Sequence, residues 1–108
     1  MLVDAHCHLG DRAFDEDRAA ALARARAAGV GHVVVVGDSA EGSTRAAALA
    51  AGRAGLSATA GVHPHVATTW GASVEAEIRA LLGRPEVVAV GETGLDYHYD
   101  HSPRADQR

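Results

Sequence analysis

Apolar, β-branched runs alternate along this chain with alanine-rich stretches of helical spacing, the pattern of βα units that build a parallel sheet. The first run, near Leu2 to Ala5, predicts a strand. The helix after it is expected to start around Asp15, with Asp15 as N-cap and Glu16 and Asp17 at the positive end of the dipole, and to stop at Gly29. Val33-Val34-Val35-Val36 is apolar on both faces, as a covered parallel strand should be. Ser39 then caps a second helix running to about Ala54 and ended by Gly55. A weaker third strand near Ser57 to Gly61 leads into Val62-His63-Pro64-His65, where Pro64 disfavours helix before it and the segment reads as a strand-end loop. Val74, Ile78, Leu81 and Leu82 define one helical stripe, so a third helix is expected from near Ser73, closed by Gly83 and Pro85. A fourth strand follows from Glu86 to about Gly91. After a polar loop, Ser102-Pro103 has the form of a helix start, with Ser as cap and Pro at the first helical position. Residues 1–108 therefore read as a single partial domain, three βα repeats and part of a fourth, that ends inside an element.

Composition sharpens this picture. At 108 residues the chain suffices for one small domain and falls short of barrel or doubly wound enzymes. Alanine supplies much of the apolar content, with one Phe, one Trp, one Ile and one Met, so a thin core and marginal stability are expected. The net charge is −4, with ten arginines and no lysine, which excludes a global positive field for nucleic acid or anionic membranes. One cysteine excludes an internal disulfide, and the N-terminus lacks the features of a secretory signal, so a cytoplasmic location is expected. No stretch approaches the ~20 apolar residues of a membrane span.

The candidate chemistry gathers at strand ends, where parallel sheets present binding groups. His6 and His8 share one face of the first strand while Cys7 points to the other, so the two imidazoles form a two-point claw suited to a metal. Asp38 follows the second strand, His63 and His65 the third, and Glu92 closes the fourth. Neutral imidazoles with a carboxylate would hold a divalent cation able to acidify water and polarise a phosphoryl or acyl oxygen. Taken alone, a histidine pair one residue apart is more often a partly buried pair satisfied by backbone, and its place at the end of the first strand is what favours a metal. Gly91 and Gly94 around Glu92 argue for tight backbone geometry near something bound. His63 and His65 either staple their loop or contact substrate. Asp4 either orients an imidazole from behind or bonds a neighbouring strand end. Cys7 reads as a small packed hydrophobe. For Asp96, Tyr97, His98, Tyr99, Asp100 and His101, an ordered loop stands beside an aromatic, histidine-rich rim over a phosphate substrate, with His101 assigned to the plain loop.

Three motifs, Asp4-Ala5-His6-Cys7-His8, Gly61-Val62-His63-Pro64-His65 and Gly91-Glu92-Thr93-Gly94-Leu95-Asp96-Tyr97, together resemble the N-terminal portion of the TatD-type metal-dependent deoxyribonucleases, within the amidohydrolase-like TIM barrels. The resemblance implies an α/β fold, the first half of a TIM (β/α)8 barrel truncated after the fourth strand. It implies a hydrolase that cleaves phosphodiester bonds of DNA with metal-activated water, using two divalent ions (Mg, Mn or Zn). His6 and His8 would bind one ion, Glu92 would bridge to the second, and His63 and His65 would line the substrate side. The family pattern continues with two further histidines and an aspartate that no residue here supplies, so at most one weak metal site and an inactive isolated chain are expected. Its partners would be DNA or a small phosphoester, with no membrane, and self-association through the open barrel edge. Two other readings are an amidohydrolase-like enzyme acting on a small amide or ester and a non-catalytic metal-binding remnant. Relatives of the former often bridge their metals with a carboxylated lysine, and this chain has no lysine.

Overall fold

The apolar runs fold as four strands, β1 (Leu2–Cys7), β2 (Val30–Val35), β3 (Leu56–Ala60) and β4 (Val87–Val90), in a computed structural model that describes all 108 residues. They pair in chain order, all in parallel. A doubly wound sheet reverses direction and leaves its first strand in the middle. Here β1 stays at one edge and β4 at the other, so the winding proceeds one way, as in the first half of a (β/α)8 barrel. Between the strands lie α1 (Arg18–Ala27), α2 (Ala40–Ala50) and α3 (Ala72–Leu82), and a single turn, α4 (Arg104–Gln107), follows β4. No helix is long and apolar enough to cross a membrane.

Burial follows position in the sheet. All five residues of β3 are buried, whereas Leu2 and Val3 on β1 and Val88 and Val90 on β4 are more than half exposed. The buried stripe of α2 is Ser43, Ala46, Ala47 and Ala50, small side chains that let the helix backbone approach the sheet closely. Ile78 and Leu81 of α3 join Val33, Val35, Leu56 and Val87 in a core that is as thin as the alanine content predicts. Two bare edges on so small a core are expected to drive self-association. Sedimentation velocity checks this: a dimer or larger species is the expected result, and a monodisperse monomer across micromolar concentrations would contradict it.

Several boundaries differ from the sequence-based expectation, each for a local reason. Asp15 does not cap α1. A 3-10 turn over Arg12–Phe14 intervenes, capped by Asp11, whose carboxylate accepts from the Ala13 amide at 2.7 Å. Asp15 closes that turn and takes Arg18 at 2.6 Å and Arg45 at 3.1 Å, linking α1 to α2. The Arg18 guanidinium, first among the neighbouring arginines, holds the Asp15 carboxyl below its ordinary range. Ser39 does cap α2, accepting from the Gly42 amide at 2.9 Å, but the helix ends at Ala50, because Ala51 leaves helical geometry and Gly52 takes a positive φ of 66°. The strand-end loop that Pro64 suggests holds 3-10 turns over Pro64–Thr69 with a kink at Val66, after His63, which stays extended as their cap. Ser102 is no cap for α4 either, and Pro103 occupies the cap position instead of the first helical one. The Ser102 hydroxyl is fully buried and donates to the His65 carbonyl at 2.9 Å, which ties the chain after β4 to the turn after β3.

Candidate metal centre

Side chains at the strand ends can converge only if the backbones beneath them are held at fixed spacing, and a set of buried hydroxyls and close approaches does this. Thr59 Oγ1 donates to the Gly91 carbonyl at 2.7 Å and accepts from the Gly37 amide at 3.2 Å, joining the exits of β2 and β4 through β3. The Glu92 amide donates to the Gly37 carbonyl at 2.6 Å, and the His63 amide to the Asp38 carbonyl at 2.8 Å. Ser43 on α2, fully buried, donates to the Gly61 carbonyl at 3.1 Å and accepts from the Gly61 amide at 3.0 Å. Gly61 itself lies so near β4 that a Cβ there would sit 2.6 Å from the Gly91 carbonyl carbon and 2.9 Å from the Glu92 nitrogen. The bare backbone at Gly61 is what lets Glu92 turn inward.

The result brings together His6, His8 and Glu92, whose ligand atoms all lie within 4.8 Å of one another. His6 Nε2 and His8 Nε2 are 3.3 Å apart, and both face Glu92 Oε2, at 3.6 and 3.7 Å. Donors bonded at ~2.1 Å to a common ion are separated by about 3.0–3.4 Å along the edges of an octahedron or tetrahedron. The observed spacings are close to those edges, and two imidazoles with one carboxylate suit a divalent cation. The three residues therefore fit a metal ion.

His63 and His65 lie beside the trio in different roles. His63 Nε2 is 3.8 Å from Glu92 Oε1, the oxygen turned away from the claw. Its Nδ1 accepts from the His65 amide at 3.0 Å, so in the neutral ring Nε2 carries the proton and faces the site as a donor. His65 Nε2 instead meets Asp96 Oδ2 in a direct contact. Asp38 lines an open cleft with His8, Ser39, His63, His65 and Glu92. The cleft continues past His8 between Asp11, Arg12, Glu41 and Arg45. Asp4 accepts from the His6 amide at 3.2 Å, so its carboxylate fixes the strand's main chain and not an imidazole ring. Cys7 packs against the core, and burial pushes its thiol pKa up, as a packed, unreactive thiol requires.

Sequence reasoning missed the organising role of Asp96. Its Oδ1 accepts from the Tyr99 amide at 3.1 Å and the His98 amide at 3.0 Å while Oδ2 takes His65. Gln107 of α4 closes the arrangement, accepting from the Asp96 amide at 2.7 Å and donating to its carbonyl at 3.2 Å. The one legible signal was an Asp two and three residues ahead of amides it can cap. The Tyr99 amide, with His65 and the His98 amide, holds the Asp96 carboxyl below its ordinary range. A carboxyl depressed in the folded state stabilises the loop above its unfolded value of about 3.9, and that contribution is lost as pH falls through the lower folded value. In an NMR titration the His98 and Tyr99 amide signals are expected to move together, with a midpoint below about 3.9. An unshifted midpoint would remove Asp96 from this role.

The profile of the TatD related DNase family matches residues 3–108. A relative from Cronobacter turicensis, named 3'-5' ssDNA/RNA exonuclease TatD, is 52% identical over 94 residues, which are 87% of this chain and 36% of that protein. A protein of the same name from Musicola paradisiaca is 39% identical over 107 residues, 98% of this chain and 40% of the relative. The crystal structure of YJJV, a TatD homologue from Escherichia coli, superposes with a TM-score of 0.87 at 36% identity, covering 98% of this chain and 42% of that one. The chain thus spans roughly two fifths, or slightly less, of the relatives it matches.

Proposed function

The chain belongs to the TatD related DNase family, and from that premise we propose that it forms the metal-holding half of a hydrolase that cleaves phosphodiester bonds in single-stranded nucleic acid. The observation that carries this reading is the convergence of His6, His8 and Glu92 from two separate strand ends within 4.8 Å. His6, His8 and Glu92 hold one divalent cation, magnesium, manganese or zinc. When bound, the cation supplies Lewis acidity that polarises a phosphoryl oxygen and lowers the pKa of water.

The chain's own groups have distinct tasks. As ligands, His6 and His8 would turn Nε2 inward, and Asp4 holds the main chain beneath them. Glu92 turns Oε2 toward the claw and Oε1 toward His63, so it would serve as the anionic ligand of a cation held with His6 and His8. His63, with its Nε2 proton fixed by the backbone bond at Nδ1, would donate to a phosphate oxygen entering the cleft beside Glu92. His65, held by Asp96, lines the same side of the cleft. The Cronobacter and Musicola relatives are named as exonucleases of single-stranded DNA and RNA, which supports nucleic acid as substrate over a small phosphoester. A nucleic-acid substrate and a lone unpaired thiol suit the cytoplasm.

The test is a hybrid in which this chain replaces the matching N-terminal segment of the Cronobacter relative. Metal-dependent shortening of a 5′-labelled single-stranded oligonucleotide is expected from the hybrid and not from its Glu92→Gln form. The 108-residue chain alone is expected to bind one cation and show negligible digestion. A hybrid that is folded and metal-loaded yet inert on nucleic acid, while hydrolysing amides or esters, would overturn the assignment.

A further inference from the structure

A ladder of rings leads away from Glu92. His63 Nε2 stands 3.8 Å from Glu92 Oε1, and the His63 and His65 ring centroids are 4.2 Å apart. His65 in turn meets Tyr99 at 5.8 Å and His101 at 4.6 Å. Tyr99 and His101 are stacked, parallel to within 5° at 5.6 Å, beside His65, which lines the cleft. Tyr99 is 64% exposed, whereas its neighbour Tyr97 is covered by the Arg104 guanidinium 4.5 Å above its ring. His98 also meets Tyr99, at 4.5 Å, so the ring is braced by its histidine neighbours while most of it stays open.

The surface is also rigidly mounted. Asp96 accepts from the amides of His98 and Tyr99, so the loop that carries the ring is fixed before any ligand arrives. Electrostatics narrow the ligand. The chain carries a net charge of −4, and the nearest strong cation, Arg104, is engaged by Asp100 at 2.9 Å. A single strand can therefore gain little here from its phosphates and must be gripped by its bases. Stacking on aromatic side chains does this without regard to sequence, because every base has a π-face.

We infer that Tyr99, backed by His101, is a stacking platform for a base of the single strand that enters the cleft beside Glu92. The inference rests on the nuclease reading above for the identity of the strand. The surface takes one unpaired base and is indifferent to which base it is. It also makes the grip on the strand less sensitive to salt than phosphate contacts would be.

The experiment compares binding of the chain, in EDTA so that nothing is cleaved, to fluorescein-labelled oligothymidine and to an abasic strand of equal length and charge, read by anisotropy. The chain is expected to bind oligothymidine about tenfold more tightly than the abasic strand. Tyr99→Phe and Tyr99→Trp keep that preference. Tyr99→Ala and Tyr99→Leu lose it with their affinity for the abasic strand unchanged. Leucine retains bulk and apolarity without a π-face, so a Tyr99→Leu protein that keeps the preference overturns the proposal. Equal or absent binding of the two strands by the parent chain overturns it as well. The nuclease reading fails separately, when the hybrid enzyme does not digest nucleic acid although the base preference is intact.

Discussion

Glu92→Gln is expected to weaken divalent-cation binding by more than about 100-fold, the upper range for residues that merely support a ligand. The substitution keeps the shape of the side chain and its place between Gly91 and Thr93. It removes the only negative charge in the trio, the one that faces both imidazoles at 3.6 and 3.7 Å. Two imidazoles 3.3 Å apart remain, a pair without an anionic partner among the three ligands. Calorimetric titration with manganese measures the loss directly. Thermal melting gives a second readout, because an ion at about one hundred times its dissociation constant adds roughly 2.7 kcal/mol to the stability of the protein that binds it. The parent chain is expected to melt higher in manganese and the variant to melt at the same temperature with or without it. A variant that binds manganese as the parent does would place the metal elsewhere.

The second large effect comes from a position with no functional group. Gly61→Ala inserts a methyl group where the Gly91 carbonyl carbon and the Glu92 nitrogen lie 2.6 and 2.9 Å from the new atom, and neither is the end of a flexible side chain. The strand exits must separate. Such overpacking costs about 1–3 kcal/mol, a large share of the stability of a small, alanine-rich domain. The separation also strains the Glu92 amide bond to Gly37 and carries the carboxylate away from the histidines. Gly61→Ala is therefore expected to lose both stability and metal affinity, measured by denaturant titration and calorimetry on the same sample. Gly71→Ala is the control. A Cβ at Gly71 meets nothing within 4 Å and the backbone there is extended, so that variant should lose little of either.

The contrast between Glu92 and Gly61 shows which parts of the molecule were legible in the chain. Strand order, the histidine claw and the carboxylate after β4 have signatures that are local and periodic: alternation in a strand, a β-branched run, a polar residue where the run stops. The strand order was read correctly, as was the thinness of the core, and the histidines and the carboxylate come together in the folded chain. What escaped were partners far apart in sequence. Thr59 reaches Gly37 and Gly91, Ser43 reaches Gly61, Ser102 reaches His65 and Gln107 reaches Asp96. No spacing rule announces such contacts, because they exist only once the sheet has formed. The misplacement of Asp15 has a different cause. Two acidic residues follow it and make a plausible helix start, but Asp11 had already captured the chain in a 3-10 turn.

Sheet order carries one last implication. The histidines come from β1 and the carboxylate from the end of β4, the two outermost strands of the four. Only a sheet rolled toward closure can bring its first and last strands to the same ion, so a cation at this site acts as a clasp on the curvature of the whole layer. Occupancy then works as a gauge of shape. A change that flattens the sheet anywhere between β1 and β4 shows up as weaker metal binding, even when every ligand is intact.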